Sequence, residues 1–111
     1  MMAEQSAEQP TDAQVQVAAE TFRLLASPTR LRIIWHLVGA EHDVSQLATA
    51  AEASVPTVSQ HLGKMRLAGL VSARREGRRI FYSVTDPHVV TMVQQIFAHI
   101  SPDGSLAPDG V

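Results

Sequence analysis

The basic side chains of this chain are concentrated in one stretch, between residues 54 and 84. That stretch holds six of the nine lysine and arginine residues and one acid, Glu76, although the whole chain has a net charge of −2. The six are Lys64, Arg66, Arg74, Arg75, Arg78 and Arg79. A local basic patch on a weakly acidic body is typical of a surface that docks on phosphate groups. By themselves, the arginines fit an ordinary solvated hairpin equally well.

The segment before these arginines predicts a short helix with one polar face. Ser54 is a suitable N-cap, and Pro56 fits the first helical turn. An apolar stripe follows at Val55, Val58, Leu62 and Met65, and it leaves Thr57, Ser59, Gln60, His61 and Lys64 outside it. Short hydroxyls and an amide at the start of an exposed helix can read base edges, and a lysine can reach a phosphate. We expect His61 to have mainly a structural role.

The arginines themselves predict a β-hairpin, with strands at about 70–75 and 78–84. Glu76-Gly77 is the expected turn, because glycine supplies the positive φ that such turns need. Two short helices, the second one exposed, followed by an arginine-tipped hairpin predict a winged helix-turn-helix. The wing arginines expected to contact DNA are Arg74, Arg75, Arg78 and Arg79.

The remaining elements complete a mainly α fold with one β-hairpin. Apolar spacing and capping residues predict helices at about 13–26, 29–38 and 44–52, and a last helix that starts after Asp86. With the helix after Ser54, this makes five helices and one two-stranded wing. We expect a single domain at 13–100, with flexible tails at 1–12 and 101–111.

Composition excludes several classes of protein. The hydrophobic content of 45% and the charged content of 18% are globular values, and the chain has no cysteine, so thiolate metal sites and a cysteine nucleophile are absent. No apolar run is long enough to span a membrane, and the start lacks the pattern of a signal peptide, so we expect a cytoplasmic protein. No catalytic motif indicates an enzyme.

Four stretches of the sequence resemble the ArsR/SmtB family of small winged-helix transcriptional regulators, many of which are metal sensors. They are Leu-Leu-Ala-Ser-Pro-Thr-Arg-Leu-Arg-Ile at 24–33, Val-Ser-Gln-His-Leu at 58–62, Leu-Ala-Gly-Leu-Val at 67–71, and Gly-Arg-Arg-Ile-Phe-Tyr-Ser-Val at 77–84. The resemblance covers about 13–100. It implies a homodimer built on the first and last helices, with two recognition helices that read an inverted-repeat operator in successive major grooves, about 34 Å apart.

The last helix contains two histidines that helical geometry places on nearly the same face. His88 and His99 are eleven residues apart, which at 100° per residue is about 20° past three full turns and about 16 Å along the axis. One chain therefore cannot bring both to one ion. Two antiparallel last helices in a dimer would bring His88 of one chain to His99 of the other, twice. They could equally be interface histidines without a metal.

The spacing Asp-x-His followed by His resembles the family's last-helix metal site, which implies Asp86, His88 and His99 as ligands. The family's usual fourth ligand falls on Pro102, which cannot bind a metal; Asp103, the N-terminal tail or solvent could complete the site. Asp86 is also the expected N-cap. Oxygen and imidazole donors with water suit an octahedral Ni²⁺ or Co²⁺ site. We expect Ni²⁺, with Zn²⁺ or Co²⁺ as alternatives. The cysteine box that many family members carry is replaced at 41–47 by a stretch without thiols.

A second interpretation keeps the DNA-binding regulator but removes the metal. In that case a partner protein, such as a second regulatory protein, or a small molecule supplies the signal, and the two histidines are structural. The sequence leaves the direction of control open, although the resemblance implies a repressor that metal releases from DNA.

Overall fold

The computed structural model describes residues 8–106, and within them the chain forms five helices and one two-stranded antiparallel sheet. The elements are α1 (Asp12–Leu25), α2 (Pro28–Gly39), α3 (Val44–Ala51), α4 (Val55–Leu67), β1 (Ser72–Glu76), β2 (Arg79–Ser83) and α5 (Pro87–Ala98). The predicted winged helix-turn-helix is confirmed. The outer parts of the two predicted tails, 1–7 and 107–111, lie outside the described residues. None of the helices in 8–106 has the length and apolar character needed to cross a membrane.

Each helix begins at a side chain that accepts a hydrogen bond from a backbone N–H of the first turn. These N-caps are Thr11, Ser27, Asp43, Ser54 and Asp86. Such caps satisfy backbone donors that the helix itself cannot pair. The predicted caps at Ser54 and Asp86 are confirmed.

The core lies where α2, α3 and α4 meet α5 and the ends of the hairpin. Its most deeply buried side chains are Ile33, Ile34, Leu37, Leu47, Val58, Leu62, Met65 and Val93. The predicted stripe of α4 is correct for three positions, but Val55 is exposed because it lies in the first turn, at the edge of the core. On α1, only Leu25 is buried within this single chain.

The wing is shorter than predicted, and its turn is shifted by one residue. Glu76 pairs with Arg79, so Gly77 and Arg78 form the turn rather than Glu76-Gly77. Gly77 has φ +64° whereas Arg78 is not among the residues with a positive φ, and a positive φ at the first central position only is the pattern of a type II′ turn. A separate antiparallel bridge joins His42, just before α3, to Tyr82 of β2. The loop between α2 and α3 is therefore attached to the wing.

Candidate DNA-binding surface and metal-ligating residues

The turn between α3 and α4 sets the position of the predicted recognition helix. It occupies 52–54, and Glu52 adopts a left-handed backbone with φ 54° that ends α3. Ser54 then accepts a hydrogen bond from the N–H of Thr57 and starts α4. Two short helices joined by such a tight turn form the helix-turn-helix, and the second helix is the one displayed.

The polar face of α4 is exposed, as predicted. Thr57, Ser59, Gln60 and Lys64 all face solvent. The Ser54 hydroxyl donates to Oγ1 of Thr57 at 2.8 Å, which leaves the Thr57 hydroxyl proton available to another acceptor. The face therefore presents hydroxyl and amide groups that can donate or accept, with a cation one turn further along.

The same surface contains two residues that were not among the predicted DNA contacts. Arg66 and Leu67 line the shallow open surface that Ser59, Gln60 and Lys64 also line. Arg66 lies seven residues after Ser59, or two helical turns, so helical spacing alone places it on this face. Leu67 is 91% exposed.

His61 lies behind this face and serves as a structural link. Nε of Arg30 donates a hydrogen bond to its Nδ1 at 2.8 Å, and the same guanidinium donates to the carbonyl of Leu24 at 3.1 Å. Burial lowers the pKa of His61, and the positive charges of Arg30 and Lys64 lower it further. A neutral ring that accepts at Nδ1 carries its proton on Nε2. The predicted structural role fits this geometry.

Two of the four wing arginines are held in ion pairs with the loop before α3. Arg74 makes two hydrogen bonds to Glu41, both 2.8 Å long. Arg79 binds Oδ2 of Asp43 through Nε at 3.1 Å and through a terminal nitrogen at 2.6 Å. Both guanidinium groups lie over the ring of Phe81, at 4.9 and 4.6 Å from its centre.

The two acids remain ionised in this arrangement. The hydrogen bonds from Arg74 lower the pKa of Glu41. The backbone N–H of Gln46 lowers the pKa of Asp43 most, followed by Arg79. Asp43 therefore has two roles, because one oxygen caps α3 and the other binds the wing.

Arg75 and Arg78 differ from the other two wing arginines. Both are exposed, and within 8–106 neither forms an ion pair with an acid. Arg78 lies in the turn at the tip of the wing. The four arginines of the predicted wing thus divide into two that pair with acids and two, called the free arginines below, that form no ion pair with any acid of residues 8–106.

The predicted metal ligands Asp86 and His88 lie together at the start of α5. Oδ1 of Asp86 accepts the backbone N–H of His88 at 2.8 Å and lies 3.0 Å from Nδ1 of its ring. These hydrogen bonds, the backbone one first, lower the pKa of Asp86. The His88 side chain is 94% exposed. Within 8–106, neither Oδ2 of Asp86 nor Nε2 of His88 forms a hydrogen bond.

His99 lies at the other end of α5, where it is the C-cap. Within the described residues, no group of three or more acidic or histidine side chains is close enough to hold a metal in one chain. Asp103, one of the three alternatives for completing the site, uses Oδ1 to accept the N–H and the hydroxyl of Ser105, at 3.0 and 2.7 Å. A single chain thus brings Asp86 and His88 together but leaves His99 apart from them.

An apolar surface runs along α1 and α5. Phe22 is 61% exposed and Val15 55% exposed, and their spacing of seven residues places both on one face of α1. Phe22, Met92 and Ile96 line a cleft between the two helices whose walls are almost entirely apolar. This is the surface through which the predicted dimer would form.

A helix-turn-helix whose second helix is exposed beside an arginine-bearing hairpin defines a winged helix-turn-helix DNA-binding domain. The family model described as bacterial regulatory protein, arsR family, matches residues 27–73. With the relatives described next, this match shows that the chain belongs to the ArsR family. Its fold and relatives are those of transcriptional regulators rather than of enzymes.

Three known proteins illustrate the similarity. The HTH-type transcriptional regulator KmtR from Mycobacterium tuberculosis is 44% identical over 82 residues, 74% of this chain and 63% of the relative. A probable mercury resistance operon repressor from Streptomyces lividans is 41% identical over 75 residues, 68% of this chain and 60% of the relative. A homodimeric winged helix-turn-helix domain from Mycobacterium bovis, a possible ArsR-family regulator, has a TM-score of 0.72 at 30% identity, covering 80% of this chain and 85% of that one. The chain spans less than two thirds of the length of the two curated relatives.

Proposed function

We propose that this protein is a metal-responsive transcriptional repressor that binds an inverted-repeat DNA operator as a homodimer. The observation that carries the proposal is the exposed polar face of α4 beside a wing with two free arginines, on a chain of net charge −2. Similarity to the mercury resistance operon repressor supports both repression and a metal signal.

The proposed roles of the side chains in DNA binding follow from their chemistry. Thr57, Ser59 and Gln60 can exchange hydrogen bonds with base edges in the major groove. Lys64 and the free wing arginines bind phosphates, which supply affinity but little sequence information. The positive end of the α4 helix dipole also favours a phosphate.

Homodimerisation through α1 and α5 is supported by the apolar surface on those helices. Burial of the exposed side chains of Phe22 and Val15 against a second copy would stabilise the dimer. The similar domain from Mycobacterium bovis is a homodimer. A two-fold axis would place two copies of α4 in successive major grooves.

The proposed metal site combines Asp86 and His88 of one chain with His99 of a second copy. The 3.0 Å contact between Oδ1 of Asp86 and Nδ1 of His88 supports it, because it places two of the three predicted ligands together at the start of α5. Carboxylate and imidazole donors suit nickel or cobalt, whereas a closed zinc site would take a fourth protein ligand. Nickel is the metal we propose, with cobalt or zinc as alternatives.

Regulation then follows from linkage between two binding events. Ligands drawn from both chains favour one relative placement of the subunits, and DNA favours the placement that spaces the two copies of α4 correctly. If the placements differ, each binding event weakens the other by the same free energy, typically about 1–3 kcal/mol.

Two experiments test the proposal. Sequencing of DNA retained by the purified protein, with and without nickel, should yield an inverted repeat that nickel depletes. Calorimetric titration with nickel, cobalt and zinc should show binding that His88→Ala or His99→Ala removes and His36→Ala, outside the proposed site, leaves intact.

Each outcome separates the possibilities. If DNA binding is sequence-selective but neither histidine variant changes the heat of metal binding, the protein is a DNA-binding regulator controlled by another signal. Absence of sequence-selective DNA binding excludes the regulator itself.

A further inference from the structure

Two acids in the loop between α2 and α3 lie against the wing and neutralise half of its arginines. Glu41 holds Arg74 through a two-point contact, and Asp43 holds Arg79 through a single oxygen. We call Glu41 and Asp43 the carboxylate clamp. The side chain of Asp43 is only 17% exposed, so solvent screens its contact with Arg79 less than it screens a fully exposed pair.

The backbone explains why both acids reach the wing. His42 and Tyr82 exchange two hydrogen bonds, N–H of Tyr82 to the His42 carbonyl at 2.8 Å and N–H of His42 to the Tyr82 carbonyl at 3.2 Å. The residues on either side of a bridged pair point to the opposite face from the pair itself. Glu41 and Asp43 thus share the sheet face that carries Phe81 and the two arginines.

Stacking on Phe81 adds to the hold on these two arginines. The aromatic ring lies beneath both guanidinium groups, at 4.9 and 4.6 Å, and a cation over a ring face is attracted to it. Each guanidinium therefore has both a carboxylate and a ring as partners inside the protein.

We propose that the carboxylate clamp withholds Arg74 and Arg79 from DNA phosphates, so that the wing binds the backbone through Arg75 and Arg78 alone. The inference rests on the proposed function, since it requires that the wing meets DNA. Each phosphate contact releases counterions, and those contacts supply nearly all non-specific affinity. By removing two such contacts, the clamp lowers the affinity for random DNA. The contacts that α4 makes with bases then contribute a larger part of the total affinity for the operator.

The test measures affinity for a random-sequence duplex as a function of salt, for the wild type, Asp43→Asn and Glu41→Gln. Asparagine is as good an N-cap as aspartate, so the Asp43→Asn variant keeps the start of α3. Each variant should bind more tightly than the wild type. Its plot of log affinity against log salt should be steeper by about 0.9, the value for one added phosphate contact.

Two matched variants separate release of an arginine from a general change of charge. Glu52→Gln removes the same charge from the α3–α4 turn, where Glu52 forms no ion pair within the described residues, and should leave the slope unchanged. The double variant Asp43→Asn/Arg79→Ala should show none of the gain of Asp43→Asn, because the released arginine is gone.

The outcomes bear on different claims. If the wild type binds DNA but Asp43→Asn and Glu41→Gln leave the salt slope unchanged or weaken binding, only the clamp proposal is overturned. The same conclusion follows if Glu52→Gln increases DNA affinity as much as they do. A wild type that binds no duplex overturns the proposed function. Glu41→Gln, outside every helix, provides the same test if Asp43→Asn does not fold.

Discussion

Nε of Arg30 donates a hydrogen bond to Nδ1 of His61 at 2.8 Å, which ties α2 to the middle of α4. Because α4 carries the proposed DNA contacts, this bond fixes the orientation of the reading face relative to the core. A protonated His61 ring could not accept it.

This bond predicts a pH dependence of stability. Burial first, and then Arg30, lowers the pKa of His61 below its ordinary value of about 6.5. As the pH falls below about 6.5, the unfolded state binds a proton before the folded state does, so the free energy of unfolding decreases. Urea unfolding between pH 8 and about pH 5, with metal chelated, should show this decrease for the wild type and a smaller one for His61→Gln. His36→Gln, a histidine outside the proposed metal site, is the control, and an identical profile for His61→Gln and the wild type would contradict the prediction.

The free arginine at the tip of the wing predicts a loss of DNA affinity. Arg78→Ala should weaken binding to any duplex and reduce the salt slope by about 0.9, because one phosphate contact disappears. Fluorescence anisotropy over a range of salt concentrations measures both quantities. Arg32→Ala, an exposed arginine of α2 outside the basic stretch, should change neither. A slope that stays the same in Arg78→Ala would show that the tip does not touch DNA.

The apolar surface of α1 predicts that one charge strongly weakens dimerisation. In Phe22→Glu the carboxylate would be buried without a partner, at a cost of about 3 kcal/mol or more, which is at least about 100-fold in the dimer dissociation constant. The fold should survive, since Phe22 is exposed within one chain. Sedimentation equilibrium measures the change. Val17→Glu, about 140° around the same helix, should keep the dissociation constant of the wild type. A Phe22→Glu protein with the wild-type dissociation constant would exclude this surface.

Metal ligands shared across the dimer predict complementation between two defective chains. Neither His88→Ala nor His99→Ala alone should bind nickel at the proposed site. A mixed dimer contains one site with both histidines intact, because His88 comes from one chain and His99 from the other. Co-refolded mixtures should therefore recover up to one nickel ion per mixed dimer, counted by calorimetry. If the mixtures exchange subunits but recover no nickel binding, the two histidines do not act together across the interface.

Most of the fold was predictable because it depends on short-range signals. N-caps such as Ser54 act within three residues, and helical stripes repeat within four. The errors also lie at element ends. The turn moved by one residue because Gly77 supplies its positive φ at the first turn position rather than the second. Val55 is exposed because the first turn of α4 extends past the core.

The site was predictable only in part. The polar face of α4 follows from helical period, and the same argument could have found Arg66. Asp86 and His88 lie close together because Asp86 is the N-cap of α5 and His88 follows it by two residues. The proposed contacts between copies of the chain still depend on the dimer and stay predictions.

By itself, the sequence determined which segments become helices, where they start, and which side chains share a helical face. Those properties depend on the helical repeat and on hydrogen bonds between near neighbours. The tertiary structure alone decided which wing arginines are free. Arg74 and Arg79 meet their carboxylates 33 and 36 residues away, and no periodicity in the chain connects such distant positions. They meet because two backbone hydrogen bonds between His42 and Tyr82 bring the loop and the wing together.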